Sequence, residues 1–377
     1  MIPTPDFAAM DGDTLLKNLE QFCALQGASD IHVSPQKHDV RLEWRMHGIL
    51  QPLASITHEH YTDFIRRIKF ASKLKLNVTN VPQDGQYTFA VNEAGTDGKP
   101  VARTVNVRVA TLPSRFGEAL TLRLLDPRRG ILPLEKLGFP MEIKKQLEEL
   151  MDIPHGLILV TGPTGSGKTT TLYALLSTII GKECNIITLE DPVEYELPGI
   201  IQSEIDADHD YTFAGGLRSI LRHDPDVILV GEIRDLETAQ TAVNAALTGH
   251  LVLSTLHTNS AVEAITRFLS MGVSPYTFAP ALRAVLAQRL VRTLTPACRK
   301  EGAGCDPSEN GSYDGQMSLP ELLNVTPSIT QLILQLEQAP AIEAQARKEG
   351  YRTMKEWGTE AVKQGVTTRE EVERVTG

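Results

Sequence analysis

The chain has 377 residues, 41% of them hydrophobic and 22% charged, with a formal net charge of −10. That length exceeds one ordinary domain and implies two or three with sizeable cores, while the acidic balance argues against a dominant nucleic-acid-binding surface. No apolar run reaches the roughly 18 residues that span a bilayer, the opening Met1–Asp6 lacks the basic-then-apolar pattern of a signal peptide, and Cys23, Cys184, Cys298 and Cys305 are too scattered for a disulfide scaffold; a cytoplasmic protein is expected.

Residues 1–24 read as a tail and the start of a helix, with Leu15, Leu16, Leu19, Phe22 and Cys23 at helical spacing. Residues 25–127 read as a smaller α+β domain with an antiparallel sheet. Val40-Arg41-Leu42-Glu43-Trp44-Arg45 alternates as a strand with a turn at Gly48, residues 60–76 look helical, and 105–109 and 119–124 alternate again. Residues 128–140 gather Gly130, Pro133, Gly138 and Pro140 beside Arg128 and Arg129, the composition of a linker. Residues 141–377 form the last domain. After a short helix at 141–150, continuous apolar strands at 156–161, 185–189, 227–230 and 251–255 alternate with helical stretches. Strands of that kind are buried on both faces, which is the α/β pattern of a parallel sheet. Residues 301–315 are polar and turn-rich, a loop, and helices are expected over 318–377. There is no internal repeat.

Gly162-Pro163-Thr164-Gly165-Ser166-Gly167-Lys168-Thr169 matches the P-loop pattern in full. A buried strand precedes it and a helix, Thr170 to Ile180, follows. The glycines let backbone N–H groups wrap phosphates without a Cβ in the way, and the helix N-terminus adds its positive end. Lys168 would pair with the β and γ phosphates, Thr169 would ligate Mg²⁺, and Thr170 would reach the α phosphate. Hydrolysis further needs a group that positions water. Glu190 and Glu194 follow the strand ending at Leu189, and Glu232 follows the strand at 227–230. An isolated loop acid is ordinarily just solvated, but in a parallel sheet both of these turns share the rim of the P-loop. Gly231 stands where a Walker B aspartate is usual. Mg²⁺ would then be held by Thr169, phosphates and water, with Glu194 outside its direct ligands.

Together these segments resemble the secretion ATPase superfamily, in particular the ATPases of type II secretion and type IV pilus assembly. Four motifs carry the resemblance: the Walker A at Gly162–Thr169, an aspartate box at Ile187–Glu194, an atypical Walker B at Leu217–Asp235, and a histidine box at Thr248–Asn259. Ala28-Ser29-Asp30-Ile31-His32-Val33, Pro82-Gln83-Asp84-Gly85, 108–124 and the closing stretches from 350 and 365 match as well. The resemblance implies a RecA-like P-loop NTPase domain preceded by a PAS-like α+β domain, ATP and Mg²⁺ as ligands, and a homohexamer. Its expected partner is an inner-membrane platform protein at the inner face of the cytoplasmic membrane, and no nucleic-acid partner is expected. Carried over by position, Glu232 activates or orients water, and Glu194 and Glu190 assist it near Mg²⁺ and the γ phosphate. His257 senses that phosphate, and His250 supports its strand. Arg108 and Arg123, and more weakly Arg115, reach over the nucleotide from the first domain. Gln288-Arg289-Leu290 is a further signature, in the wall of the base pocket or at a domain contact.

Two departures stand out. The match begins near residue 25, so no docking domain is expected before it, and only Cys298 and Cys305 stand where many relatives carry four zinc-binding cysteines. A structural zinc site takes four ligands, so zinc is not expected. Both departures resemble retraction and short-form ATPases, whereas 190–197 and 217–233 read closer to the assembly branch. Pilus retraction, DNA translocation or conjugation, and a non-hydrolysing nucleotide-gated ring therefore stand as alternatives to an assembly motor.

Overall fold

The computed structural model describes residues 4–94, 100–299 and 312–377. The chain divides into two compact units, Met1–Gly130 and Ile131–Gly377.

The first unit is built on six strands: β1 (Asp30–Pro35), β2 (Val40–Met46), β3 (Ile49–Ile56), β4 (Gln83–Ala94), β5 (Pro100–Ser114) and β6 (Gly117–Leu125). They lie in the order β3-β2-β1-β6-β5-β4, every neighbouring pair antiparallel. Alternation decides the faces. Val105, Val107 and Val109 enter the core with Ile31, Val33, Leu120 and Leu122, which leaves Asp30, Arg108 and Arg123 on the opposite face. Helices Gly12–Gln26 and His58–Ala71 supply Leu15, Leu19, Phe22, Phe64 and Ile68 to the same core. The first helix starts at Asp11, whose side chain accepts from the Thr14 N–H at 2.9 Å, and stops at Gly27, whose φ of 81° reverses the chain. Leu15, Leu16, Leu19, Phe22 and Cys23, whose spacing predicts the start of a helix, are buried on it.

The polar groups buried in this unit include an ion pair and a carboxyl–hydroxyl pair. Lys69 pairs with Glu118 at 2.7 Å with both side chains nearly sealed from water. Glu20 is 5% exposed and accepts a hydrogen bond from the Tyr87 hydroxyl. Burial pushes its carboxyl up to about 7 against that bond. A raised carboxyl favours the folded state while it is protonated, so its contribution is full below the ordinary value of 4.5 and is lost as pH rises through about 7. At about 1.4 kcal/mol per unit, Glu20→Gln should gain about 3 kcal/mol relative to the parent chain between about pH 4 and pH 8. Urea melts at the two pH values check this, and a mutant-minus-parent difference that is flat with pH refutes it.

The second unit holds β7 (Gly156–Thr161), β8 (Ile186–Glu190), β9 (Ile201–Glu204), β10 (Val227–Val230), β11 (Leu251–Leu256), β12 (Leu282–Leu294) and β13 (Tyr313–Asn324). Their order is β13-β12-β7-β11-β10-β8-β9, parallel throughout except for β13, which runs antiparallel to β12. Every residue of β7, β8, β10 and β11 is buried, as continuous apolar runs require. Leu134 and Leu137, within the stretch that reads as a linker, pack into this core.

The expected helix from 318 is a strand to Asn324, and the closing helices begin at Pro327. Leu319, Leu322 and Leu323 have helical spacing, but Ser318–Leu323 is buried continuously against β12, so no two-residue alternation marks it as a strand. Residues 301–311 of the expected loop lie outside the described residues, and Tyr313–Gly315 opens β13.

Candidate functional site

The parallel sheet sends the C-terminal ends of β7, β8, β10 and β11 to one rim. From β7 the chain enters Gly162–Gly167 and then the helix Lys168–Ser177. Gly162 and Gly167 have φ of 151° and 86°, where a side chain is strained. A Cβ on Gly162 would also lie 2.6 Å from the Gln288 carbonyl oxygen. The loop is braced from below by Gln288, fully buried on β12. Its Nε2 donates to the Ser166 carbonyl at 2.7 Å, and its Oε1 accepts from the Thr171 hydroxyl at 2.9 Å. Gln288 therefore holds the loop's shape, which its place in the sequence, far from the P-loop, does not reveal.

Three observations fit this loop to a phosphate chain. Lys168 donates to the carbonyl oxygens of Gly162 and Pro163, at 2.9 and 3.1 Å, and no carboxylate among the described residues is in contact with its charge. Burial pulls its ammonium down to about 8, against the pull of Glu232. Among the described residues the buried Ser166 hydroxyl has no hydrogen-bond partner. The first N–H groups of a helix also lack partners of their own. Thr169 and Thr170 follow Lys168, half-buried, on the first turn.

Glu232 stands two residues beyond β10, its side chain 15% exposed. One oxygen pairs with Arg234, and the other lies 3.7 Å from Nε2 of His257 at the end of β11. Burial, then the charge of Lys168, lowers the His257 pKa despite Glu232, so the ring favours its neutral form. The turn that carries His257 is tied to β7: Thr161 Oγ1 accepts from the Thr258 N–H at 2.9 Å, and the two hydroxyls lie 2.7 Å apart. Arg289 reaches from β12 to the Asn259 carbonyl at 3.1 Å. Lys168, Glu232, His257 and Arg234 thus share one electrostatic field. Arg234 is the member that sequence reading missed, although the sequence Gly231-Glu232-Ile233-Arg234 puts it one turn residue from Glu232.

Gly231 has a steric reason. Its N–H donates to the Leu189 carbonyl at 2.7 Å, and a Cβ there would sit 3.2 Å from that oxygen and 3.3 Å from the Glu190 Cα. The usual aspartate does not fit without moving β8.

The aspartate-box acids separate. Glu190 is buried and accepts hydrogen bonds from Tyr173, from Thr188 at 2.6 Å and from Gln202 at 3.2 Å. Its oxygens are thus engaged with the sheet, away from open solvent, whereas Glu194 is half-buried in the following loop. Gln202 and Glu204 of β9 pin that loop at Leu197, Tyr195 and Val193. His250 sits at the opposite, N-terminal end of β11, where Nδ1 meets the Ala245 carbonyl at 2.9 Å and closes the helix Leu236–Leu247.

In the first unit, Arg108 and Arg123 face each other across β5 and β6. Arg115 lies over the ring of its neighbour Phe116 at the hairpin tip. Among the described residues no group of three or more His, Cys, Asp or Glu side chains is placed to hold a metal ion. Cys305 lies outside the described residues. No helix among them is long and apolar enough to cross a membrane.

The model of the family "Type II/IV secretion system protein" matches residues 13–374. The type II secretion system protein HxcR of Pseudomonas aeruginosa is 44% identical over 355 residues, covering 93% of this chain and 74% of the relative. The type II secretion system ATPase E of Vibrio cholerae is 41% identical over 374 residues, covering 93% and 72%. Among solved structures, the pilus retraction motor PilT with bound ADP matches with a TM-score of 0.64 and 30% identity over 95% of both chains. The ATPase DotB of Legionella pneumophila shares the fold, with a TM-score of 0.75, 20% identity and coverage of 100% and 98%. The chain belongs to the type II/IV secretion system protein family and has its α/β ATPase fold.

Proposed function

We propose that this member of the secretion ATPase family hydrolyses ATP as the motor subunit of a type II secretion or type IV pilus assembly machine. The observation that carries the reading is the shielded Glu232 carboxylate beside His257, in the field of the P-loop lysine. That is the arrangement needed to orient a water molecule against a phosphoryl group held by a P-loop. The identity of 41–44% with proteins named for type II secretion supports the machine.

In this reading Gly162–Gly167 wraps the phosphates, with Pro163, Thr164, Gly165 and Ser166 presenting the loop and Thr170 reaching the α phosphate. Lys168 spans the β and γ phosphates and regains full charge from them. Thr169 would hold Mg²⁺, with Glu194 outside its direct ligands, and the ion would supply charge neutralisation to the phosphates. Glu232 orients the water and takes up its proton. Neutral His257 meets the γ phosphate, and Arg234 sets the rotamer of Glu232. Glu190 fixes the end of β8. Arg108 and Arg123 neutralise charge on the transferring group. Bond making and breaking are then ordinary hydrolysis: water adds to the γ phosphorus, ADP leaves, and inorganic phosphate follows.

The working form is a homohexamer, at the cytoplasmic face of the inner membrane, bound to a platform protein. The relation to PilT at 30% identity favours one rival, a retraction motor of the same chemistry.

Purified chain should release phosphate from ATP, and Lys168→Ala should weaken ATP binding by about a hundredfold or more, the loss expected when a buried charge-assisted contact goes. Fluorescent-nucleotide titration reads this, and unchanged affinity would remove the site from the P-loop.

A further inference from the structure

The turn that carries His257 runs through Thr258 and Asn259 into the helix Ala261–Ser270, and the start of that helix is held from β13. Glu321 on β13 stands opposite Ala287 on β12 and is buried. Its Oε1 accepts from the Ala261 N–H at 2.8 Å, and its Oε2 from the Met354 N–H at 3.3 Å. These are the first N–H groups of two helices, Ala261–Ser270 and Met354–Lys363, and such groups lack partners within their own helix. The Tyr351 hydroxyl bonds the same carboxyl. One buried carboxylate thus meets the positive ends of two helices, which offsets the cost of its burial. Asn259, between His257 and Ala261, is held as well: its N–H donates to Glu263 at 2.8 Å, and its carbonyl accepts from Arg289 at 3.1 Å. Arg289 lies two residues from Ala287 on β12, on the face that Glu321 shares, while Gln288 between them turns to the P-loop. Burial lowers the Arg289 pKa, against the charges of Glu321 and Glu263.

We propose that Glu321 is a positioning residue for hydrolysis: by tying the start of the helix Ala261–Ser270 to β13, it fixes the turn before that helix and holds the His257 ring beside Glu232. This rests on the proposed role of His257 at the γ phosphate. The His257 side chain is 53% exposed and 3.7 Å from Glu232, so packing around the ring does not fix its place and the backbone that carries it must. A carboxylate accepts on both oxygens, whereas an amide accepts on one and turns its NH₂ toward the other N–H. Glu321→Gln therefore keeps the volume and gives up one of the two helix starts, or shares the strain between them. A displacement of about 1 Å at a reacting group can cost about a hundredfold in rate, so a small shift of this turn is enough to slow the chemistry while the P-loop still binds nucleotide.

The test measures steady-state ATP hydrolysis by the full chain with Glu321→Gln, Glu321→Asp and His257→Gln, and with each Glu321 variant in the His257→Gln background. Glu321→Asp keeps the charge but withdraws the carboxylate by a methylene, so it serves if Glu321→Gln folds poorly. Each Glu321 variant should lower kcat about tenfold with KM for ATP within about twofold, the pattern of an interaction made in the transition state. Neither should lower kcat further in the His257→Gln background, whereas a merely loosened fold lowers it in both backgrounds alike. Wild-type kcat in either Glu321 variant, a loss carried by KM, or losses that add to that of His257→Gln overturn the proposal. Wild-type kcat in His257→Gln removes His257 from the reaction and this proposal with it, while hydrolysis at the P-loop and Glu232 is judged by the Lys168 and Glu232 variants.

Discussion

Glu232→Gln should bind ATP as the parent chain does and release phosphate about a thousandfold more slowly, within the range a positioned general base contributes. The two side chains have the same shape, so the amide keeps contact with Arg234 and His257 and the sheet is undisturbed. It cannot take a proton, and its dipole orients water less strongly than a full charge. Because Glu232 repels the γ phosphate, removing its charge leaves nucleotide affinity unchanged or improved. Single-turnover phosphate release together with nucleotide titration separates the two quantities. A rate within about tenfold of the parent would show that water is activated elsewhere, and equal losses in binding and rate would make Glu232 part of the phosphate cradle.

Lys69→Met should cost the first unit about 3–5 kcal/mol, the penalty for breaking a buried ion pair. Lys69 Nζ contacts both Glu118 oxygens, at 2.8 and 2.7 Å, and the Val78 carbonyl at 2.7 Å. The lysine and glutamate side chains are 2% and 5% exposed. Methionine fills a similar volume but leaves a carboxylate in an apolar site and the Val78 oxygen without this donor. A domain holds only about 5–15 kcal/mol in total, so partial unfolding at physiological temperature is expected. Adding Glu118→Leu should recover most of the loss, because an apolar pair of similar volume is about neutral against a buried ion pair. Chemical denaturation followed at Trp44, packed on Phe22 in this core, reports it. If the double variant is no more stable than Lys69→Met alone, the cost lies in lost packing and not in the unpaired charge.

The P-loop could be found without coordinates because its chemistry is local. The glycines, Lys168 and the flanking strand and helix all lie within a short stretch of chain, and the positive φ of Gly162 and Gly167 is what the pattern predicts. The alternating strands of the first unit and the continuous strands of the second were legible for a similar reason: burial on one face or two writes a period into the chain. β13 was not legible, because burial on both faces next to β12 erased that period and left spacing that also suits a helix. The acids show the same division. Glu190, Glu194 and Glu232 are equivalent as residues after strands, but only the packing seals Glu190 among Tyr173, Thr188 and Gln202 while leaving Glu232 beside His257.

By itself the sequence determined the class of ligand, the order of the motifs, the α/β pattern and the family resemblance, since each rests on residues near one another in the chain. Tertiary structure alone decided that Gln288, far along the chain, props the P-loop, that β8 crowds the place of a side chain at Gly231, and that Asp30 stands between Arg45 and Arg123. These are matters of which strands lie side by side and in what register. Pairing is set by the burial of whole faces across the sheet, and no local stretch of residues carries that information.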